Sequence, residues 1–143
     1  MRMSENFTKA RVSVDGIMSF LYNIVGEIMQ FNDYGKYGSF EKTLLELTIC
    51  HADLEHECLL KKNLIDAEKT KEYPSIRREK SSNEAANKEL DLKYLDLENE
   101  QREEESFARS VSKKIWAYIK RSKYMDTFFW REYNKAKAIM PNM

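Results

Sequence analysis

The sequence is short of the residues that interrupt helices. Its 143 residues include only four glycines and two prolines. A β-sandwich or β-barrel needs a turn signal about every 8–12 residues, so this scarcity excludes both. Seven Phe, eight Tyr and two Trp supply apolar surface that a disordered chain lacks. The chain is therefore predicted to be folded and all-α.

Cysteine is equally scarce. Cys50 and Cys58 are the two cysteines, and they lie eight residues apart on one predicted helix. That spacing corresponds to about 12 Å, which exceeds the reach of a disulfide. Both are predicted to be reduced core thiols in a cytoplasmic protein, or in the host cytoplasm if the protein is encoded by a phage.

A long uninterrupted hydrophobic run is also missing. The most apolar stretch, Val12–Phe31, contains Asp15, Asn23, Glu27 and two glycines. A membrane-spanning helix needs about 20 predominantly apolar residues. We therefore interpret the stretch as an amphipathic helix, and expect neither a targeting segment nor a membrane partner.

Catalytic motifs are absent. The sequence has no G-x-S-x-G, no P-loop and no G-x-G-x-x-G, which predicts that the protein is not an enzyme and has no cofactor. His51, Glu55 and Cys58 share one helix face, with His56 beside them. A zinc site needs three or four converging ligands, and the zincin spacing is not present. We expect these residues to serve packing and predict no metal site.

Apolar periodicity predicts a single helical domain over residues 1–143, with helices at 13–31, 39–72, 82–122 and 126–139. Ser13, Ser39, Ser81 or Ser82, and Asp126 are the predicted N-caps. Pro74 is expected to end the second helix. The stretch Glu98–Ser106 contains no apolar residue and is expected to have no buried face.

The predicted architecture is a long antiparallel hairpin formed by the second and third helices. A shorter N-terminal helix and a short C-terminal helix would pack on this hairpin. Oligomerisation is expected to complete the core, because long amphipathic helices in a chain of this length leave apolar faces to cover.

Charge is unevenly distributed although the net charge is zero. Residues 39–108 contain eleven basic and eighteen acidic side chains, whereas residues 109–143 contain nine basic and two acidic ones. The middle of the chain is thus −7 and the tail +7. This asymmetry indicates an anionic partner for the tail, or a tail that docks on the acidic middle.

Aromatic residues alternate with the basic residues of the tail. Lys and Arg neutralise phosphates, and aromatic rings stack on unpaired bases whatever their sequence. The predicted phosphate contacts are Lys113, Lys114, Lys120, Arg121 and Lys123, with stacking by some of Tyr124, Phe129 and Trp130. A protein-docking or self-association surface, and an ordinary hydrophobic core, remain alternatives for the same residues.

Two segments give the chain a resemblance to a known family. They are Ile76–Ser81, with the sequence IRREKS, and Ile119–Trp130, with the sequence IKRSKYMDTFFW, joined by a long charged helix. Over residues 73–138 this pattern resembles the UvsY family, the recombination mediators of large tailed phages. One departure is Ser122, which stands where the family has the glycine of an Arg-Gly turn.

This resemblance implies a small helical protein that forms a closed homo-oligomeric ring and binds single-stranded DNA. It also implies partners, namely a recombinase and a single-strand-binding protein. The contacts it implies are Arg77, Arg78 and Lys80 of the connector, and Lys120, Arg121 and Lys123 at the helix end.

Two functions are therefore expected from the sequence. The first is a non-enzymatic, homo-oligomeric protein that binds single-stranded nucleic acid as an accessory to recombination or replication. The alternative is a protein–protein adaptor or inhibitor, such as a phage counter-defence or assembly factor, whose active face is the acidic run Glu98–Glu105.

Overall fold

A computed structural model describes residues 5–31 and 34–139, and over this part the chain forms four α-helices without a strand. They are α1 (Glu5–Phe31), α2 (Tyr34–Glu79), α3 (Asn83–Lys93) and α4 (Leu95–Ile139). Between the helices, residues 80–82 form a bend and Tyr94 a turn. The all-α prediction is confirmed.

The chain divides into two compact units. Unit 1 consists of Met1–Arg11 and Ala52–Ser110, and unit 2 of Val12–His51 and Val111–Met143. Helices α1, α2 and α4 each contribute to both units, whereas α3 belongs to unit 1 alone. The single domain predicted from the sequence is thus organised as two compact units.

Unit 2 has a core made by α1, α2 and α4. Its buried residues are Val14, Leu21, Ile24, Val25, Ile28, Tyr37, Phe40, Leu44, Leu47, Val111, Ile115, Met125 and Phe129. The Tyr37 hydroxyl donates to the backbone oxygen of Ser122 at 3.1 Å, and the Phe40 and Tyr118 rings lie 6.0 Å apart. Because higher numbers on α2 meet lower numbers on α4, these two helices pair antiparallel here.

Unit 1 has its own core. Ile65, Leu90 and Tyr94 form a buried cluster against which Tyr73 and Ile76 pack. At the other end of the unit, the Phe7 and Phe107 rings meet edge to face at 6.2 Å, and the Arg11 guanidinium lies 4.3 Å from the centre of the Phe107 ring. The thiol of Cys58 is also buried. Burial, reinforced by the charges of Glu104 and Glu105, raises the pKa of this thiol to about 11, so it stays protonated.

The predicted end of the second helix near Pro74 was wrong, since α2 continues to Glu79 with Pro74 inside it. Proline in a helix interior removes one backbone hydrogen bond and costs about 3 kcal/mol. Packing of Tyr73 and Ile76 on the unit 1 cluster offsets this cost. The Arg77 side chain then donates to the Lys80 carbonyl and the Asn83 amide oxygen, which fixes the bend after Glu79.

The third and fourth helices also differ from the prediction. Ser82 is confirmed as an N-cap, because its hydroxyl accepts from the Ala85 amide at 3.1 Å. The helix predicted over 82–122 is broken at Tyr94, whose hydroxyl and the neighbouring Lys93 both bind Glu72. The predicted start at Asp126 was wrong as well. Helix α4 runs through it because Met125 continues the buried stripe of unit 2.

Helix starts came earlier in the chain than expected. The first helix is already formed at Glu5 instead of Ser13, and α2 begins at Tyr34 instead of Ser39. Burial of Phe7 in unit 1 and of Tyr37 in unit 2 accounts for both extensions. Of the predicted loop at 31–39, residues 32 and 33 lie outside the described residues.

The prediction that Glu98–Ser106 has no buried face was also wrong. Within unit 1, Gln101 is buried and Glu104 is 1 % exposed. Glu104 accepts from the Lys61 ammonium at 2.9 Å, and Glu100 lies 3.1 Å from the same ammonium. Lysine therefore takes the place that an apolar partner would occupy. Sequence periodicity has no signal for such a contact, because it counts only apolar positions.

One helix has the length and apolarity of a membrane span. Among the described residues, Glu5–Gln30 in α1 meets this criterion with a mean hydropathy of 1.2. Core helices of soluble proteins and N-terminal signal sequences meet the same criterion, and 28 % of the apolar window in α1 is buried.

Candidate nucleic-acid interface

The tail cations of α4 are exposed in unit 2. Lys113, Lys114, Lys120, Arg121 and Lys123 all lie on the surface. Within the described ranges, no carboxylate pairs with any of the five. Their positive charge is therefore directed to solvent, which is the arrangement required for contact with a polyanion.

Three of these cations line a groove between α1 and α4 of unit 2. The groove consists of two adjoining depressions of about 440 and about 530 Å³ that share Met29, Ala117 and Arg121. We call it the basic groove. Its lining residues are Tyr22, Val25, Gly26, Met29, Lys114, Ala117, Tyr118, Lys120, Arg121 and Tyr124.

Small residues form part of the basic groove. Gly26 of α1 and Ala117 of α4 are part of its lining, and a Cβ built at Gly26 meets no heavy atom within 4 Å. Glycine in a helix interior costs roughly 0.5–1 kcal/mol relative to alanine. No tight contact requires glycine at position 26. The lack of a side chain there leaves space in the groove.

Two tyrosines project at the edges of the basic groove. Tyr22 is 75 % exposed and Tyr124 is 61 % exposed. Exposed rings beside cations are the combination that binds unpaired bases, with about 1–3 kcal/mol per stacked base. The groove therefore offers phosphate contacts at Lys114, Lys120 and Arg121, and stacking surfaces at both tyrosines.

Buried contacts hold α4 in place behind the groove. The Tyr37 hydroxyl lies 3.1 Å from the backbone oxygen and 3.2 Å from the hydroxyl oxygen of Ser122. Burial raises the pKa of Tyr37. Burial also raises the pKa of Tyr118, although the nearby Arg121 guanidinium opposes the shift. Both phenols are therefore neutral hydrogen-bond donors at physiological pH.

Phe129 is not available for stacking. It is 5 % exposed, and its ring lies 5.7 Å from Tyr37 and 5.6 Å from Phe128 in the core of unit 2. Adjacent aromatic residues on a helix point about 100° apart, so burying Phe129 leaves Trp130 outside. The sequence contained the run of aromatics but did not show which rings lie inside.

The remaining predicted contacts fall on other surfaces. Lys113, Lys123 and Trp130 are not part of the lining of the basic groove. Conversely, the sequence did not single out Tyr22, Gly26 and Met29 of α1. The sequence signal that could have identified them is Tyr22 followed four residues later by Gly26, because residues four apart share one face of a helix.

The connector cations belong to unit 1. Arg77 is engaged in the bend through Lys80 and Asn83, and Lys80 pairs with Glu89 at 3.4 Å. Arg78 is exposed. Two of the three connector residues predicted to bind phosphate therefore have partners within unit 1.

The acidic run of unit 1 is largely paired within that unit. Glu98 binds Lys69 and Arg102, Glu100 and Glu104 bind Lys61, and Glu105 binds Arg109. Burial raises the pKa of Glu104 although Lys61 opposes the shift. Among the described residues, no cluster of three or more His, Cys, Asp or Glu is arranged to hold a metal ion.

No family model, no curated protein and no solved structure matches the chain.

Proposed function

We propose that the protein binds single-stranded nucleic acid through the basic groove and acts as a non-enzymatic accessory protein. The observation that carries the proposal is the combination of Lys114, Lys120 and Arg121 with the exposed rings of Tyr22 and Tyr124 in one groove. Phosphates would be held by the three cations. Unpaired bases would stack on the tyrosines, which favours a single strand over a duplex.

The biological setting follows from the resemblance over residues 73–138. We propose a role in recombination or replication of the kind that the UvsY family performs, with a recombinase or single-strand-binding protein as further partners. Of the contacts implied by the resemblance, Lys120 and Arg121 line the basic groove, which supports their assignment.

Self-association is the second part of the proposal. Helix α2 exposes Leu59, Leu60 and Leu64 in unit 1, and α1 exposes Val12 and Phe20 in unit 2. Large exposed apolar side chains on long helices support a homo-oligomer, because another copy could bury them. The molar mass in solution, measured by light scattering, would exceed 17.0 kDa several-fold. A monomer at micromolar concentration would contradict this part.

The adaptor alternative is less well supported. Its active face would be Glu98–Glu105, but four of the five glutamates in that run are ion-paired within unit 1 and Glu104 is buried. A surface that mimics nucleic-acid charge needs carboxylates directed to solvent. We therefore favour the basic groove as the functional surface.

The test is binding of a labelled oligonucleotide measured by fluorescence anisotropy. The variant Lys114→Glu/Lys120→Glu/Arg121→Glu reverses the groove cations. The control Lys62→Glu/Lys71→Glu/Lys88→Glu makes the same charge change at exposed lysines of unit 1. We expect affinity at low salt to fall on the order of a hundredfold in the groove variant and severalfold at most in the control.

Two results would contradict the proposal. One is an absence of binding by the unmodified protein at low ionic strength. The other is an equal loss in both variants, since the affinity would then follow net charge and not the groove. Circular dichroism on both variants checks that the helices are retained.

A further inference from the structure

Helix α4 carries a second surface in unit 2, formed by residues seven positions apart. Trp116, Lys123, Trp130 and Lys137 occupy this spacing, and all four are exposed. Trp116 is 63 % and Trp130 65 % exposed. We call this surface the indole stripe. Residues at seven-residue spacing lie on one side of an α-helix, in a row almost parallel to its axis.

The indole stripe faces away from the core of unit 2. Lys123 precedes Met125 by two positions, and two positions correspond to a rotation of about 200° around the helix. Met125 is fully buried. Arg121, which lines the basic groove, precedes Lys123 by the same two positions. Lys120 also lines the groove, and it lies one helical turn from both Trp116 and Lys123, so the stripe and the groove adjoin along one edge of α4.

The composition of the stripe indicates the kind of ligand. Tryptophan is enriched in protein–protein interfaces, but lysine is depleted in them. Here a lysine separates the two indoles and another follows them, and one acidic residue, Asp126, lies beside the row between Lys123 and Trp130. Alternating cations and rings match the alternating phosphates and bases of a single strand.

The spacing of the stripe sets the length of strand it would contact. At 1.5 Å per residue, Lys123 lies about 10.5 Å along the helix from each tryptophan, and the tryptophans lie about 21 Å apart. At the rise of about 3.4 Å per nucleotide in a fully stacked strand, that span corresponds to about six nucleotides, and a more extended strand covers it with fewer. A segment of about seven nucleotides would thus place a base at each indole and a phosphate at Lys123.

We propose that the indole stripe is a second contact site for single-stranded nucleic acid, adjoining the basic groove at Lys120. One chain would then hold strand on two adjoining surfaces of α4. The inference rests on the proposed function, since it assumes the same ligand class. It goes further by assigning Trp116 and Trp130 as stacking residues at a site of their own.

Intrinsic fluorescence tests the proposal directly, because the chain has two tryptophans and both belong to the stripe. Unlabelled oligothymidylate of about eight nucleotides should quench the emission and protect it from iodide. An oligomer of about four nucleotides is too short to reach both indoles and should quench less. Quenching should persist in the variant Lys114→Glu/Arg121→Glu, which keeps Lys120 beside Trp116, at higher oligonucleotide concentration.

Two single substitutions locate the contact. Trp130→Ala should weaken the binding that quenches Trp116 by about five- to 150-fold, the range contributed by one stacked base. Lys123→Glu should weaken it too, whereas Lys62→Glu, an exposed lysine of unit 1, should not. Equal effects of Lys123→Glu and Lys62→Glu would overturn the assignment.

The outcomes separate this inference from the proposed function. If anisotropy reports binding while tryptophan emission and iodide access stay unchanged, the stripe is not a strand contact and the groove proposal stands. The stripe would then have to bind a partner of another class. If neither signal changes with oligonucleotide, both proposals fail.

Discussion

The two units of the chain place their cations differently. In unit 1, Lys61 is buried against Glu100 and Glu104, and Lys69 binds Asp91 and Glu98. In unit 2, Lys114, Lys120 and Arg121 line an open groove, and none has a carboxylate partner among the described residues. In the first arrangement the cations form ion pairs within the unit, and in the second they face solvent.

This comparison shows why net charge is a poor guide to function for this protein. The overall balance is zero, yet Lys61 and Lys69 of unit 1 are paired with carboxylates, whereas Lys114, Lys120 and Arg121 of unit 2 are exposed in the groove. Cations that already have partners would give up those contacts to bind a phosphate, whereas exposed cations give up only water and counterions. The predictions below test the two arrangements separately.

The largest expected effect is on the free energy of unfolding, and it distinguishes a core ring from a surface ring in unit 2. Phe129→Ala should lower the free energy of unfolding by about 3–5 kcal/mol, because it removes a buried ring that packs on Tyr37. The adjacent Trp130→Ala should lower it by less, because the indole is 65 % exposed. Chemical denaturation measures both. Similar losses at the two positions would mean that the indole is also a core residue.

The next effect is the loss of the buried ion pair in unit 1. Lys61→Met should destabilise the protein by about 3 kcal/mol, since Glu104 would remain buried without its cation. The exposed neighbour provides the control, and Lys62→Met should change the unfolding free energy by about 0.5 kcal/mol or less. Equal effects would mean that Lys61 is not the partner on which Glu104 depends.

Sequence periodicity explains the fold well and the site only partly. The apolar spacing predicted the all-α class and most of α1, because burial of one face imposes that spacing, but it missed the break at Tyr94 and the continuity of α4 through Asp126. Pro74 and Asp126 misled the prediction, since tertiary packing of their neighbours overrides local preference. The basic groove could not be predicted as a unit, because Tyr22 and Arg121 meet only after α1 and α4 have packed.

A smaller effect distinguishes the two partners of Lys61. Glu104→Gln should change stability by about 1 kcal/mol or less at neutral pH, because Glu100 still lies 3.1 Å from the ammonium. Burial raises the pKa of Glu104, so its contribution is fully present below the unfolded value of about 4.3 and is lost as pH rises through the raised value. The free energy of unfolding of the unmodified protein, relative to that of Glu104→Gln, should therefore be greatest at acidic pH. A pH-independent difference would contradict the assignment.

The smallest expected effect comes from the two helical glycines of α1, only one of which lines the basic groove. Gly26→Ala and Gly16→Ala each fill a helical position with no heavy atom within 4 Å of the new Cβ. Both should stabilise the protein by about 0.5–1 kcal/mol. Only Gly26 lines the basic groove, so only Gly26→Ala should also weaken oligonucleotide binding. Equal binding by the two variants would show that the ligand does not approach α1.

The central claim is that unit 2 presents its cations to a polyanion, and the salt dependence of oligonucleotide binding tests it most directly. Each phosphate contact on a single strand contributes about −0.7 to the slope of log affinity against log salt. We expect a slope of about −2 or steeper for the unmodified protein, flattening by about 0.7 when Arg121 is replaced by Gln. Affinity that is independent of salt, or a slope unchanged by that substitution, would contradict the claim.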